Sequence, residues 1–348
     1  MLKDNWQVRV SAPCRLHIGG ALDMKPLAFP LEYVNPSTTT FALDLRTEVV
    51  VVPSSKGLIN ISGRDISATY TLDNIPFDSN LGLISAIISI FRIDGIEIKI
   101  QHTAPPRSGL GGSGTLAVCI IAALDRVRSL LQGLPIMTKQ DICILAHDIE
   151  DGFRYSVTGL QDQCAAAFGG IYKWSWTYSS PQSRFVKEPL IIEYKQLEDR
   201  IVLAYVGKEN SSIDVCSRLI DSFRDSQLRL QWPQLCQVAN TFAYMLPLKN
   251  WRKLIELANK QMLIYYTLLP ELVGPTSQAL WDITKEYNAS FNKLGMWDSG
   301  CCWSLCSTSE EAIAIKSLWG DLLANINTAR ILDCKIARDG LIIEEGIT

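Results

Sequence analysis

A strand-like segment, a glycine-rich loop and a helix-like segment follow one another between residues 95 and 131. In GIEIKIQHT, isoleucines at every second position share one face, as in a half-buried strand. APPRSGLGGSG comes next, and TLAVCIIAALDRVRSLL then runs without Gly or Pro and stops before Gly133, as a helix does. Backbone N–H groups of such a loop, together with the positive end of the helix dipole, favour an anion. The arrangement predicts a phosphate site, with a purely structural turn as the alternative, and matches neither GxxxxGK(S/T) nor GxGxxG.

The chain has 348 residues, of which 47% are apolar and 20% charged. These fractions are typical of globular proteins, so we expect the chain to fold throughout. Its length exceeds what one core usually spans, which predicts two domains. The polar stretch SSPQSRF precedes a new buried strand, IVLAYVG. We therefore expect an N-terminal domain at 1–185 and a C-terminal domain at 186–348.

Charge and hydropathy exclude several classes of partner. A net charge of -3 without a Lys/Arg cluster argues against nucleic acid, and the longest nearly apolar run, LGLISAIISIF, is too short to span a bilayer. The ten cysteines form no CxxC pairs, so we expect reduced thiols and neither a disulfide framework nor a zinc site. These features predict a cytoplasmic protein, a monomer or homodimer, that binds small molecules rather than membranes.

Two further segments carry polar residues among glycines. SAPCRLHIGGALD occupies 11–23, and TGLQDQCAAAFGG occupies 158–170. Between the loop and the second segment, MTKQDICILAHDIEDG has Thr138 followed three residues later by Asp141, a variant of the capping box. This pattern predicts a helix from 139 to about 150, with Glu150 near its end.

Taken in order, these three segments resemble those of the GHMP kinases, the superfamily of galactokinase, homoserine kinase and mevalonate kinase. TGLQDQCAAAFGGIY is most similar to the sugar-kinase branch, especially to the heptose 7-phosphate kinases. The resemblance implies an α+β, two-domain fold with an N-terminal domain of the ribosomal protein S5 domain 2 type and a ferredoxin-like C-terminal domain. It also implies ATP and Mg²⁺ as cofactors.

The resemblance assigns roles to residues of the loop and of the predicted helix. The residues expected to bind the nucleotide are Pro106, Gly109, Leu110, Gly111, Gly112, Ser113 and Gly114. Ser113 and Glu150 are expected to hold the magnesium ion, which prefers a small set of oxygen ligands completed by phosphates and water. For Glu150, a solvated carboxylate at a helix end is the alternative.

Two residues are expected to be catalytic. Asp162 corresponds to the aspartate that accepts or orients the proton of the acceptor hydroxyl, and an Asx-turn cap is its alternative role. Arg15 corresponds to the arginine of the first motif, where a fixed positive charge neutralises the transition state, and a surface ion pair is its alternative.

The acceptor site is expected to include Asp23, Gly159, Gln161 and Ser211. For Ser211 a surface turn is an equal alternative. The third family motif, usually a glycine-rich loop, reads KLGMWDSGCCWSL here, with Trp297 and Asp298 where glycine is usual. Because most residues other than glycine disfavour positive φ, this motif predicts a reshaped loop and raises a question about tight triphosphate binding.

Three functions follow from these observations. The first is an ATP- and magnesium-dependent kinase of a sugar or sugar phosphate, with the anomeric hydroxyl as one candidate acceptor. The second, suggested by the altered third motif, is a catalytically silent sensor of sugar or nucleotide. The third is a kinase of a non-sugar alcohol, which the Arg15 and GLQDQ patterns disfavour.

Overall fold

The computed structural model describes residues 6–64, 66–153, 157–180, 183–208 and 212–346. Numbered along the chain, the strands are β1 Gln7–Ile18, β2 Ser37–Pro53, β3 Ile59–Gly63, β4 Ile66–Tyr70, β5 Ile96–His102, β6 Ile171–Trp176, β7 Phe185–Pro189, β8 Ile201–Tyr205, β9 Asn292–Leu294, β10 Cys301–Leu305, β11 Arg330–Ile331 and β12 Ile342–Gly346. The helices are α1 Lys25–Leu31, α2 Gly82–Phe91, α3 Gly112–Gln132, α4 Lys139–Phe153, α5 Gln161–Phe168, α6 Tyr194–Glu198, α7 Ser212–Arg224, α8 Gln231–Met245, α9 Trp251–Leu268, α10 Pro275–Lys285 and α11 Ser309–Leu323.

The strands form a larger and a smaller sheet. The larger sheet has the order β12-β1-β2-β5-β3-β4, and β6 pairs with the first part of β2 and with β7. Its pairings are antiparallel except for β3 with β5. The smaller sheet has the order β11-β8-β10-β9 and is antiparallel. The long strand β2 is thus shared by β1 along one edge and by β5 and β6 along the other.

Strand β1 is continuous from Gln7 to Ile18 although it contains a proline. The register against β2 shifts between Pro13 and Cys14, which marks a β-bulge. Proline has no N–H for the ladder and is accommodated at such bulges, which also bend the strand and redirect the side chains that follow. The strand thus contains an irregularity directly before Arg15.

Helix α3 packs on β1 and β2, and α2, α4 and α5 pack around it. Its buried residues come from most of its circumference, as expected for a helix covered by a sheet and by other helices. Gly133 follows the helix in the left-handed conformation with φ of 70° and ends it. The predicted helix is confirmed and begins three residues earlier than expected, at Gly112, so the last glycines of the loop form its first turn.

The two sheets share a core through aromatic contacts. Phe41 of β2 lies 6.2 Å from Phe242 of α8 and 6.2 Å from Trp303 of β10, measured between ring centroids. Strand β7 crosses the expected boundary at 185/186 and pairs in the larger sheet, as β12 does. The boundary at 185/186 stays a prediction, and the chain returns to the larger sheet after it completes the smaller one.

All ten cysteines of the sequence lie within the described residues. All are free thiols, and Cys301 and Cys302 are buried in β10. Within the described ranges, no helix combines the length and apolarity needed to cross a membrane.

Candidate active site

The bulge in β1 directs Arg15 into a buried position beside the glycine-rich loop. Its backbone N–H donates to the carbonyl of Leu110 at 3.0 Å, and its Nη1 donates to the carbonyl of Gly109 at 2.6 Å. The Arg15 side chain is 8% exposed. The arginine of the first motif therefore holds the second motif in place, which is more than a surface ion pair would do.

The loop reaches helix α3 through two glycines with left-handed backbone conformations. Gly109 has φ of 79° and Gly111 has φ of 82°, values that residues with a side chain rarely adopt. Gly111 caps the N-terminus of α3, and an added Cβ on Gly112 would meet no atom within 4 Å. Open space above the positive end of a helix of 21 residues is what a phosphate group needs.

Other loop residues serve the packing. The Leu110 side chain is fully buried, and Pro106 is exposed in a turn. At Gly114 an added Cβ would lie 2.9 Å from Cβ of Asp162 and 3.0 Å from Nε2 of Gln163. Leu110 thus anchors the loop, and Gly114 allows α3 and α5 to approach closely. Their expected phosphate contacts stay predictions.

Asp162 lies in the first turn of α5 and faces the loop. Arg15 donates to its Oδ1 twice, from Nε at 2.8 Å and from Nη2 at 2.6 Å. An added Cβ on Gly111 would lie 3.1 Å from its Oδ2. The candidate base and the phosphate loop therefore meet without an intervening residue, and the aspartate is held by one oxygen against a buried cation.

Glu150 and Ser113 approach the same region from two helices. Glu150 lies near the end of α4 and is 5% exposed, so a solvated carboxylate does not describe it. Gln163 of α5 donates from Nε2 to its Oε2 at 2.7 Å. Ser113 lies in the first turn of α3. Sequence reasoning did not assign Gln163, although this residue lies in the segment 158–170 that carries Asp162.

The donor set fits magnesium. Among the described residues, no group of three or more His, Cys, Asp or Glu side chains is placed to hold a metal ion. Glu150 and Ser113 offer a carboxylate and a hydroxyl, both hard oxygen donors, beside the open N-terminus of α3. Mg²⁺ binds in this manner, through one or two carboxylates with phosphates and water, rather than in a cage built from protein alone.

Asp23 is fully buried next to the start of α5. Its Oδ2 accepts from the backbone N–H of Gln161 at 2.9 Å, whereas its Oδ1 is buried without a hydrogen-bond donor among the described residues. A Cβ on Gly159 would overlap this carboxylate, so only glycine permits the contact. Burial, with a smaller contribution from the charge of Asp162, raises the pKa of Asp23 to about 6. Three of the predicted acceptor residues thus lie together, and the fourth, Ser211, falls outside the described residues.

A thiol of helix α7, that of Cys216, lies within electrostatic range of this group. Burial raises the pKa of Cys216 to about 12, and the carboxylates of Asp23, Asp162 and Glu150 act in the same direction while Arg15 opposes them. The pKa of this thiol therefore depends on the charges of both expected catalytic residues, of the expected metal ligand and of Asp23. No sequence pattern indicated Cys216, since local patterns do not report contacts between distant segments.

The third motif is a loop between β9 and β10 that packs on the phosphate loop. An added Cβ on Gly109 would lie 3.1 Å from the backbone of Leu294, and one on Gly300 would overlap the carbonyl oxygen of Leu294. Gly300 has φ of 73° and Trp297 has φ of 50°. The loop thus keeps a left-handed turn at Trp297, whose side chain is 53% exposed. At this position a tryptophan adopts a conformation that glycine adopts more easily.

Two charged residues stabilise the reshaped loop. Asp298 accepts from the backbone N–H groups of Thr276 at 3.0 Å and Ser277 at 2.9 Å, which caps helix α10 from a distant segment. Although burial alone would raise it, the pKa of Asp298 is lowered by these bonds. Lys293 is buried, which lowers its pKa, and its Nζ donates to the carbonyls of Leu294 and Ser299.

Part of the chain matches a known protein family, and the chain as a whole is similar to several kinases. Residues 81–170 match the family described as GHMP kinases N terminal domain. The chain is 25% identical to the mevalonate kinase of Thermococcus sibiricus, over 97% of this chain and 99% of that protein. It is 35% identical to the D-glycero-alpha-D-manno-heptose 7-phosphate kinase of Campylobacter jejuni, over 60% of this chain and 62% of that protein.

Solved structures have the same fold. A D-glycero-D-manno-heptose 1-phosphate kinase from Bacteroides thetaiotaomicron superposes with a TM-score of 0.72 at 19% identity, covering 97% of this chain and 98% of that one. Galactokinase from Lactococcus lactis, solved with galactose, gives a TM-score of 0.72 at 14% identity, covering 98% and 95%. The expected α+β fold of this superfamily is confirmed.

Proposed function

We propose that this chain, whose residues 81–170 match the N-terminal domain of the GHMP kinases, transfers the γ-phosphoryl group of ATP to a hydroxyl of a sugar or sugar phosphate. The observation that carries this proposal is the meeting of the glycine-rich loop with the Arg15–Asp162 pair. An anion site at a helix N-terminus then lies directly beside a carboxylate that is fixed in orientation.

Asp162 is the residue that accepts or orients the proton of the attacking hydroxyl. Its Oδ1 is occupied by Arg15, so we assign the acceptor hydroxyl to Oδ2, on the Gly111 side. Arg15 keeps the carboxylate in place and adds positive charge near the transferred group. Phosphoryl transfer requires mainly alignment and neutralisation of charge, and both residues contribute to these rather than to covalent chemistry.

Glu150 and Ser113 are the residues that would hold a magnesium ion at this site. When bound, the ion would neutralise the charge of the phosphates. The N–H groups at the start of α3 would bind phosphate oxygens through the open side at Gly112.

The acceptor class rests on the buried carboxylate of Asp23 and on the relative from Campylobacter jejuni. An ionised carboxylate accepts hydrogen bonds from hydroxyls, which a polyhydroxylated acceptor supplies. Mevalonate is the second candidate acceptor, since mevalonate kinases match the chain over nearly its whole length. Both candidates are alcohols that receive a phosphoryl group, so the chemistry assigned to Asp162 is the same for both.

The experiment is ADP release from Mg-ATP across free sugars, sugar monophosphates including heptose 7-phosphate, and mevalonate. We expect turnover with one sugar or sugar phosphate and its loss in Asp162→Asn, with folding and ATP affinity nearly unchanged. Asp321→Asn makes the same chemical change at an exposed position of α11 and serves as the control.

Each other outcome has a defined meaning. If mevalonate alone supports turnover, the acceptor is a non-sugar alcohol and not a sugar. Retained turnover in Asp162→Asn would remove this residue from the mechanism. ATP binding without turnover on any acceptor would favour a silent sensor over an enzyme.

A further inference from the structure

Gln163 joins the three helices that carry the expected catalytic and metal-binding groups. It follows Asp162 on α5, its side chain is 1% exposed, and its Nε2 donates to Glu150 on α4 at 2.7 Å. The same nitrogen also lies close to α3, because an added Cβ on Gly114 would be 3.0 Å from it. Ser113 is the neighbour of that glycine. One amide thus lies between the elements that present Ser113, Glu150 and Asp162.

The direction of this hydrogen bond is fixed by chemistry. An ionised carboxylate only accepts, so the amide must present its NH₂ group and not its oxygen to Glu150. Glu150 is buried, and a buried carboxylate oxygen without a donor would raise the free energy of the folded state. The bond from Gln163 therefore has a structural cause and also determines how the carboxylate is oriented.

Orientation matters because of what Glu150 is expected to bind. A neutral donor on Oε2 restricts rotation of the carboxylate without adding a positive charge that would compete with a cation. Residues that hydrogen-bond to a metal ligand, without touching the metal, typically change metal affinity by about 10- to 100-fold when they are removed.

We propose that Gln163 is a positioning residue that orients Glu150 for the magnesium ion of the nucleotide complex, an inference that rests on the proposed function. Glu150 carries the negative charge, and the hydrogen bond from Gln163 orients its carboxylate. Gly114 is part of the same arrangement, since a side chain there would displace Gln163.

The test is the affinity of the protein for Mn²⁺, a paramagnetic substitute for Mg²⁺, measured by electron paramagnetic resonance with a non-hydrolysable ATP analogue present. We expect Gln163→Leu, which has no donor, to weaken Mn²⁺ binding by about 10- to 100-fold. The KM for the acceptor should change little, while the Mg²⁺ concentration needed for half-maximal turnover rises. Gln140→Leu, at an exposed position of α4, is the matched control and should leave Mn²⁺ affinity unchanged.

A purely structural role would lower the free energy of unfolding without changing metal affinity, and this result would overturn the proposal. If Gln163→Leu does not fold, the same comparison is made with Gln163→Asn, whose amide is too short to reach Glu150 from the same backbone position. If the unmodified protein binds no Mn²⁺ with the nucleotide, the magnesium-dependent function itself is wrong. If it binds Mn²⁺ and the variant binds equally well, only the role of Gln163 is wrong.

Discussion

The buried carboxylate of Asp23 predicts a dependence of stability on pH that an amide would remove. Its pKa in the folded protein is about 6, compared with an ordinary value of 3.8. Because the folded value is raised, the native protein binds this proton more tightly than the unfolded chain does. Stability therefore falls as the pH rises between these two values, and the loss levels off above the folded value of about 6.

The size of the effect follows from the shift. About two units correspond to about 3 kcal/mol of lost stability at high pH, most of which develops between about pH 4 and about pH 8. In Asp23→Asn, the amide oxygen still accepts from the N–H of Gln161, and no charge forms. We expect the free energy of unfolding of Asp23→Asn, relative to the unmodified protein, to increase by roughly 2.5 kcal/mol across that interval.

Urea unfolding of both proteins at several pH values measures this difference, since titrations that the two proteins share cancel. A difference that stays constant with pH would refute the assignment of a raised pKa to Asp23. The same variant should bind the acceptor more weakly, because its amide oxygen is bonded to Gln161 and the other position carries an NH₂ group, which cannot accept from a hydroxyl. In Asp162→Asn the pH-dependent part should become smaller, because the charge of Asp162 contributes to the shift.

Gly159→Ala should weaken acceptor binding and lower the free energy of unfolding by about 1–3 kcal/mol, because its methyl group would displace Asp23. Gly152→Ala, whose added methyl group meets no atom within 4 Å, is the control and should change neither quantity. Melting and binding assays on both variants measure the two effects. Asp298→Ala should lower the free energy of unfolding by about 1–2 kcal/mol at neutral pH, because the cap of α10 is lost. The pKa of Asp298 is lowered in the folded protein, so the difference in unfolding free energy between the two proteins should shrink as the pH falls below the ordinary carboxyl range. Urea unfolding at several pH values measures this. Gly112→Ala should keep its melting temperature and lose affinity for ATP in calorimetry, because the added methyl group meets only the open space assigned to phosphate; unchanged affinity would argue against that assignment.

Elements with strong local signals were predictable from sequence. The strand before the loop and the helix after it carry their periodicity in adjacent residues, and Thr138 with Asp141 forms the predicted capping box, with hydrogen bonds in both directions. Such features depend on neighbours within a few positions of the chain. Sequence patterns report them directly.

Features that depend on distant segments were not predictable. The Asp298 carboxylate caps a helix that begins 23 residues earlier in the chain, at Pro275, and nothing near Asp298 in the sequence indicates this. Gln163 differs from Gln161 only in which helix face it occupies, yet one side chain contacts Glu150 and the other residue's backbone contacts Asp23. These pairings are determined by how helices α3, α4 and α5 pack, and periodicity does not specify packing partners.

The pairing of β12 with β1 has a consequence for how the molecule is made. Strand β1, which carries Arg15, has β2 on one side, and on its other edge Gln7–Ser11 pair with β12, which follows about 330 residues later in the chain. During synthesis the ribosome releases β12 long after β1 has emerged, so this edge stays open while the nucleotide loop, α5 and the smaller sheet are being formed. An open strand edge is a template for pairing with other chains. We expect nascent or truncated forms that lack residues 342–346 to depend on chaperones and to associate through β1.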